Sequence, residues 1–265
     1  MRLRNLPSFG TVARLAAEEA LRTGHEIEEF GDHWPPEAVH HVRVLCKRLR
    51  AAVHLGAGLV PKETRERWNE RLSHAARLLA VVRDGQVLSE WIIEVAPEAP
   101  PALHGPLARM AARLEAECGA APDAAACREA KKTLLAVGRS WPRSWGLVGN
   151  DPDRGLARST DRVRALGDRA RSGHDQHDWH RWRRWVKYLA YQIQWIESAK
   201  GRRPGKRYRR LRKLGTTLGR INDMHNMLAW LAAHRFHNRS TAFLRHRARE
   251  TIERLRREAD DLAGD

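Results

Sequence analysis

The chain is poor in cysteine: Cys46, Cys118 and Cys127 are its three, and none belongs to a CxxC pair. An odd number of thiols without a pairing motif argues against a disulfide framework and for a reducing compartment, the cytoplasm. No run of roughly 18 apolar residues occurs, so no membrane-spanning helix is expected. The opening stretch MRLRNLPSFGTVARLAAEEA is interrupted by Pro7, Arg14, Glu18 and Glu19 and does not read as a signal peptide. Alternating runs of β-branched residues are missing, which argues against a sheet. With 19 Gly, 12 Pro and 42% apolar residues, neither collagen-like repetition nor wholesale disorder fits.

What the sequence has in excess is positive charge. Lys and Arg number 49 against 32 Asp and Glu, a formal net charge of +17, so an anionic partner is the first to consider. Helical periodicity runs almost everywhere, and the chain is predicted to be all-α. Breaks are expected at Gly31 to Pro36, Gly56 to Pro61, Pro97 to Pro101, Gly119 to Pro122, Ser140 to Pro152, Ser172 to His177, Gly201 to Gly205 and His237 to Ser240. The longest, SWPRSWGLVGNDP, divides a single domain of residues 1–265 into halves at 11–139 and 153–262. Trp141 and Trp145 read as pins of a packed linker.

On a helical wheel, His40, Arg43, Lys47, Arg50 and His54 fall within an arc of about 80°. Val42, Leu45, Cys46, Leu49 and Val53 occupy the opposite, core-facing side. The pattern returns 140 positions later in WHRWRRWVKYLAYQIQWI, where His180, Arg183 and Lys187 repeat the cations and Trp182, Trp185, Val186 and Ile193 the apolar set. A second marker follows each row: RLLAVVRDGQVLSEWI, with Asp84 44 positions after His40, and TLGRINDMHNMLAWL, with Asp223 43 after His180.

These stretches, VHHVRVLCKRLRAAVHL with LLAVVRD and then HRWRRWVKYLAY with LGRIND, resemble the CHAD family, whose name denotes conserved histidines in an α-helical domain. The resemblance covers roughly Val12 to Leu262. It implies two four-helix bundles related by a pseudo-twofold axis, with a basic channel between them that binds inorganic polyphosphate. It also implies a place on cytoplasmic polyphosphate granules or beside triphosphate-tunnel enzymes.

Polyphosphate is a flexible polyanion without bases, so its binder needs rows of cations and no stacking platform. Arg43, Arg50 and Arg183 offer bidentate contacts to phosphate oxygens, and Lys47 and Lys187 act as point charges. Arg48 and Arg184 join the expected set beside them. A further wall is expected from Lys206, Arg209, Arg210, Lys213 and Arg220, matched in the first half by Arg71, His74 and Arg77, with Arg71 aligned to Arg210. For each of these the competing reading is a solvated helix face. His40 and His180 have two readings: protonated donors to phosphate, or neutral rings holding a buried hydrogen bond to Asp84 or Asp223. The two aspartates are expected to orient cations rather than meet phosphate. Ala190 stands where the first half has Arg50, which weakens the second row.

Catalytic signatures fail. GRRPGKR is not a phosphate-binding loop, because three residues separate its glycines and no Ser or Thr follows the lysine. EIEEF at Glu26 to Phe30 is not the ExExK strand of the tunnel enzymes. His174, His177 and His180 drift by 60° per step, so they do not make a metal site on one straight helix, and no metal or cofactor is expected. Most of the ten Trp are expected in cores rather than as base-stacking platforms, with Trp34, Trp68 and Trp179 partly exposed. The expectation is a non-enzymatic polyphosphate binder. The alternatives are non-specific nucleic-acid binding and a metal-dependent phosphohydrolase.

Overall fold

The computed structural model describes residues 6–79, 84–117, 122–145, 151–173, 175–234 and 238–264. Over these residues the chain is all-α, without a strand. The helices are α1 (Phe9–Glu26), α2 (Pro36–Leu55), α3 (Lys62–Leu78), α4 (Asp84–Val95), α5 (Pro101–Glu117), α6 (Ala124–Ser144), α7 (Asp153–Ser172), α8 (Gln176–Ala199), α9 (Lys206–Ala233) and α10 (Arg239–Gly264). Short 3-10 turns follow α1 at Ile27–Phe30 and α4 at Ala96–Glu98.

The helix ends follow from local chemistry. The Ser8 hydroxyl caps α1 by accepting from the Thr11 N–H at 3.2 Å, and the Asp123 carboxylate caps α6 through the Ala126 N–H at 2.7 Å. Pro36 opens α2, where its missing N–H costs nothing. Gly201, at φ +65°, closes α8 while the Arg202 N–H returns to the Glu197 carbonyl at 2.9 Å.

Two breaks differ from expectation. The helix α6 runs on to Ser144, beyond the expected break at Ser140, because Trp141 and Trp145 are buried and stacked with ring centroids 4.3 Å apart. The rest of that linker, residues 146–150, lies outside the described residues. In the other, α3 ends at Leu78 and α4 starts at Asp84, so the marker RLLAVVRDGQVLSEWI straddles a helix boundary.

The chain forms two compact units. The first takes Met1–Ala80, Ala121–Ala165 and Arg184–Arg212; the second takes Val81–Ala120, Leu166–Arg183 and Lys213–Asp265. Each therefore draws on both halves of the sequence, and α7, α8 and α9 contribute a segment to each.

In the first unit one core joins Phe9, Val12 and Ala16 of α1, Val42, Leu45 and Leu49 of α2, Trp68 and Leu72 of α3, Leu134 and Trp141 of α6, and Leu189, Ile193 and Ile196 of α8. The seam between α2 and α8 is also pinned by polar bonds. The Gln192 amide donates to the Ala51 carbonyl at 3.1 Å, and the Trp195 indole N–H to the Arg48 carbonyl at 3.0 Å. The start of α7 lies so close to the end of α2 that a Cβ on Gly155 would stand 1.9 Å from the Leu55 carbonyl oxygen. Only glycine allows that approach.

In the second unit Leu88, Trp91 and Ile92 of α4 and Leu107, Met110 and Leu114 of α5 pack with Met224, Met227 and Leu231 of α9 and with Leu244, Ala248 and Ile252 of α10. The Arg256 guanidinium lies 5.1 Å over the Trp179 ring. The expectation of partial exposure for Trp34, Trp68 and Trp179 is corrected: all three are buried, because each meets an aromatic, cationic or backbone partner inside its unit.

Candidate polyanion-binding site

Within the first unit, the C-terminal part of α2 brings Arg50 and His54 of its cationic row against α8. Arg43, Lys47 and Arg50 are half-buried, while His40 at the start of the row is exposed. The Arg50 Nε donates to the Asn69 side-chain carbonyl at 2.9 Å, and its guanidinium carbon lies 5.5 Å over the Tyr188 ring. Burial pulls the Arg50 guanidinium below its usual range, and Arg184 and Arg77 add like-charge repulsion. His54, one turn further on α2, packs between Trp185 and Tyr188 at ring-centroid distances of 4.9 Å each. Burial, with Arg50, Arg65, Arg184 and Arg158 around it, pushes the His54 imidazole down to about 4.

A first-half helix and a second-half helix thus meet in one unit around a cluster of positive side chains. No carboxylate is among the charges that dominate Arg50, His54 or Tyr188. Cations held together without a counter-charge store repulsion that an anion would relieve. Arg184 is exposed and Lys187 half-buried on the same α8 segment.

The remaining expected ligands distribute as follows. In the first unit, His74, Arg77, Lys206 and Arg209 are exposed and Arg210 is half-buried. In the second unit, Lys213 and Arg220 are exposed, and Lys213 lies 4.0 Å from Glu258. His180 is exposed there and its Nδ1 is 2.9 Å from the Asn222 side-chain oxygen, so its partner is the residue beside Asp223 rather than Asp223 itself. The Asp84 side chain lies outside the described residues, and so does His174. Arg183 is half-buried, with its guanidinium against the backbone of Gly219: a Cβ there would meet it at 3.3–3.4 Å. The glycine of LGRIND leaves room for that arginine.

Two expected ligands have other neighbours inside the fold. Arg48 makes a bidentate ion pair with Glu19 of α1, with each side chain only 17% exposed, and its guanidinium lies 4.5 Å over Trp195. Its charge is neutralised inside the fold. Arg71 sits 5.5 Å over Trp68 and lines a recess shared with Arg128, Lys131, Lys132 and Arg139 of α6, because it lies about 240° around α3 from Arg77, which acts on Arg50.

The sequence alone places Trp185 in the apolar set and singles out neither Tyr188 nor Arg65. Nothing in the local pattern marks their part in the site, because each acts on His54 from another helix. No group of three or more His, Cys, Asp or Glu suited to a metal ion occurs among the described residues, and among them no helix is long and apolar enough to cross a membrane.

The CHAD domain model matches residues 13–232, most of the chain, and this protein belongs to that family. No curated protein matches it. Among solved structures, PptA from Streptomyces chartreusis shares the fold with a TM-score of 0.73 at 17% identity, over 98% of this chain and 100% of its own.

Proposed function

We propose that the protein binds inorganic polyphosphate without chemically altering it, and that the cationic side chains of α2 and α8 hold the chain. Family membership supports a polyphosphate-related role. The observation that carries the reading is the uncompensated cluster of Arg50, Arg77 and Arg184, drawn from both sequence halves into one unit. In the full reading, His180, Arg183 and the α9 cations continue the binding surface, two repeated bundles clasp the chain, and the protein works at polyphosphate granules or beside a triphosphate-tunnel enzyme. Flexible cations of two kinds discriminate little between neighbouring phosphates, which suits a uniform polymer.

Competition tests the reading against nucleic acid. Long-chain polyphosphate is expected to displace both single-stranded RNA and duplex DNA from the protein at moderate salt. Retention of either nucleic acid in the presence of excess polyphosphate removes the proposal. A double substitution, Arg77→Glu with Arg184→Glu, places the change at two exposed positions, so helicity by circular dichroism should persist while polyphosphate retention falls at least tenfold.

A further inference from the structure

Tyr188 is 3% exposed, and its hydroxyl is buried without a hydrogen-bond partner. A phenol normally keeps a partner when it leaves water, and an orphaned buried donor is costly enough to call for an explanation. Its surroundings are specific. The Arg50 guanidinium lies over the ring, and the His54 ring packs 4.9 Å away. Arg50 and Arg184 both favour negative charge at the hydroxyl, against the burial that raises its pKa. The four residues come from α2 and α8, whose mutual geometry is fixed by the Gln192 to Ala51 and Trp195 to Arg48 bonds.

We propose that Tyr188, Arg50 and Arg184 form a discrete seat for one phosphoryl group, in which the Tyr188 hydroxyl donates to a phosphate oxygen held between the two guanidinium groups. The inference rests on the polyphosphate reading and sharpens it, since along a diffuse cationic row one position grips a phosphoryl group through a neutral, directional donor. The distinction is measurable. Counter-ion release counts only the Lys and Arg that neutralise phosphates, so a hydroxyl contributes affinity without contributing to the salt slope.

The competing account is internal. Gln192 lies one turn on along α8, and its side-chain oxygen is also buried without a partner. A water linking Tyr188 to Gln192 would make the hydroxyl purely structural.

The test is Tyr188→Phe in the full chain, titrated with inorganic tripolyphosphate and with long-chain polyphosphate at several salt concentrations, alongside thermal unfolding. The seat predicts unchanged or raised Tm, because an unsatisfied hydroxyl has been removed, together with affinity about tenfold lower for both ligands and an unaltered salt slope. A lower Tm with unchanged affinity assigns the hydroxyl to Gln192 and overturns the seat; unchanged affinity with unchanged Tm overturns it equally. Wild-type binding of long chains with an indifferent variant sinks the seat and leaves the broader reading standing. Wild-type binding of tripolyphosphate alone, weakened by the substitution, keeps the seat and removes the polymer reading. Failure of the wild-type protein to bind either ligand removes both.

Discussion

His54 shows how a single side chain records the charge around it. Held between Trp185 and Tyr188 and surrounded by Arg50, Arg65, Arg158 and Arg184, its imidazole is pushed down to about 4 from an ordinary 6.5. Between those values the unfolded chain binds a proton that the folded chain refuses. Stability from this residue is therefore complete above pH 6.5 and is lost as the pH falls toward 4. The loss between pH 6.5 and 5 should be up to about 2 kcal/mol. Urea unfolding of the free protein at pH 7.5, 6 and 5 measures it, and His54→Gln should flatten the pH dependence by that amount. Equal slopes in the two proteins would mean that the ring is not held in its neutral form. At the same scale, Arg48 and Arg50 differ by two positions and by everything else. Arg48 meets Glu19, whereas the principal charges acting on Arg50 include Arg184 and Arg77.

At the scale of the helix, the start of α8 at Gln176 lies 140 positions after the start of α2 at Pro36, the same spacing that separates the two cationic rows. Those rows and the all-α class were legible because both rest on local periodicity, and the breaks after α2 and α8 were legible because Gly and Pro mark them. The break between α3 and α4 was not, since RLLAVVRDGQVLSEWI keeps its apolar rhythm across the boundary and carries no proline. Nor was the fate of Arg48, whose partner Glu19 lies 29 positions away on another helix, or the close approach of α7 to α2. That approach gives a test of the packing. Gly155→Ala drives a methyl group into the Leu55 carbonyl and should cost about 3 kcal/mol or more, because the obstacle is backbone. Gly105→Ala, inside α5, meets nothing nearer than the Arg109 side chain at 3.5 Å and should stabilise by about 0.5–1 kcal/mol. Thermal unfolding of the two variants should move in opposite directions; a harmless Gly155→Ala would contradict the α2–α7 geometry.

At the scale of the molecule, a net charge of +17 does not mean that every cation serves the ligand. The recess on α6 is as basic in composition as the α2–α8 cluster, yet Arg128 pairs with Asp32 at 2.6 Å, Lys131 with Glu28 at 2.5 Å and Lys132 with Glu129 at 3.8 Å. Cations already facing carboxylates have fewer condensed ions to exchange with a polyanion, whereas the like charges that weigh on Arg50 are those of Arg184 and Arg77. The salt dependence of polyphosphate binding separates the two surfaces. With about five engaged cations and the slope of a single-stranded polyelectrolyte, raising monovalent salt from 50 to 200 mM should weaken binding on the order of a hundredfold. Lys131→Gln with Lys132→Gln in the recess should leave both affinity and slope unchanged. Arg77→Gln with Arg184→Gln in the cluster should lower the affinity and reduce the slope of log K against log salt by about 1.4, roughly 0.7 for each lost contact. Equal loss in the two variants would show that net charge alone drives binding, and the arrangement of α2 against α8 would then have no part in it.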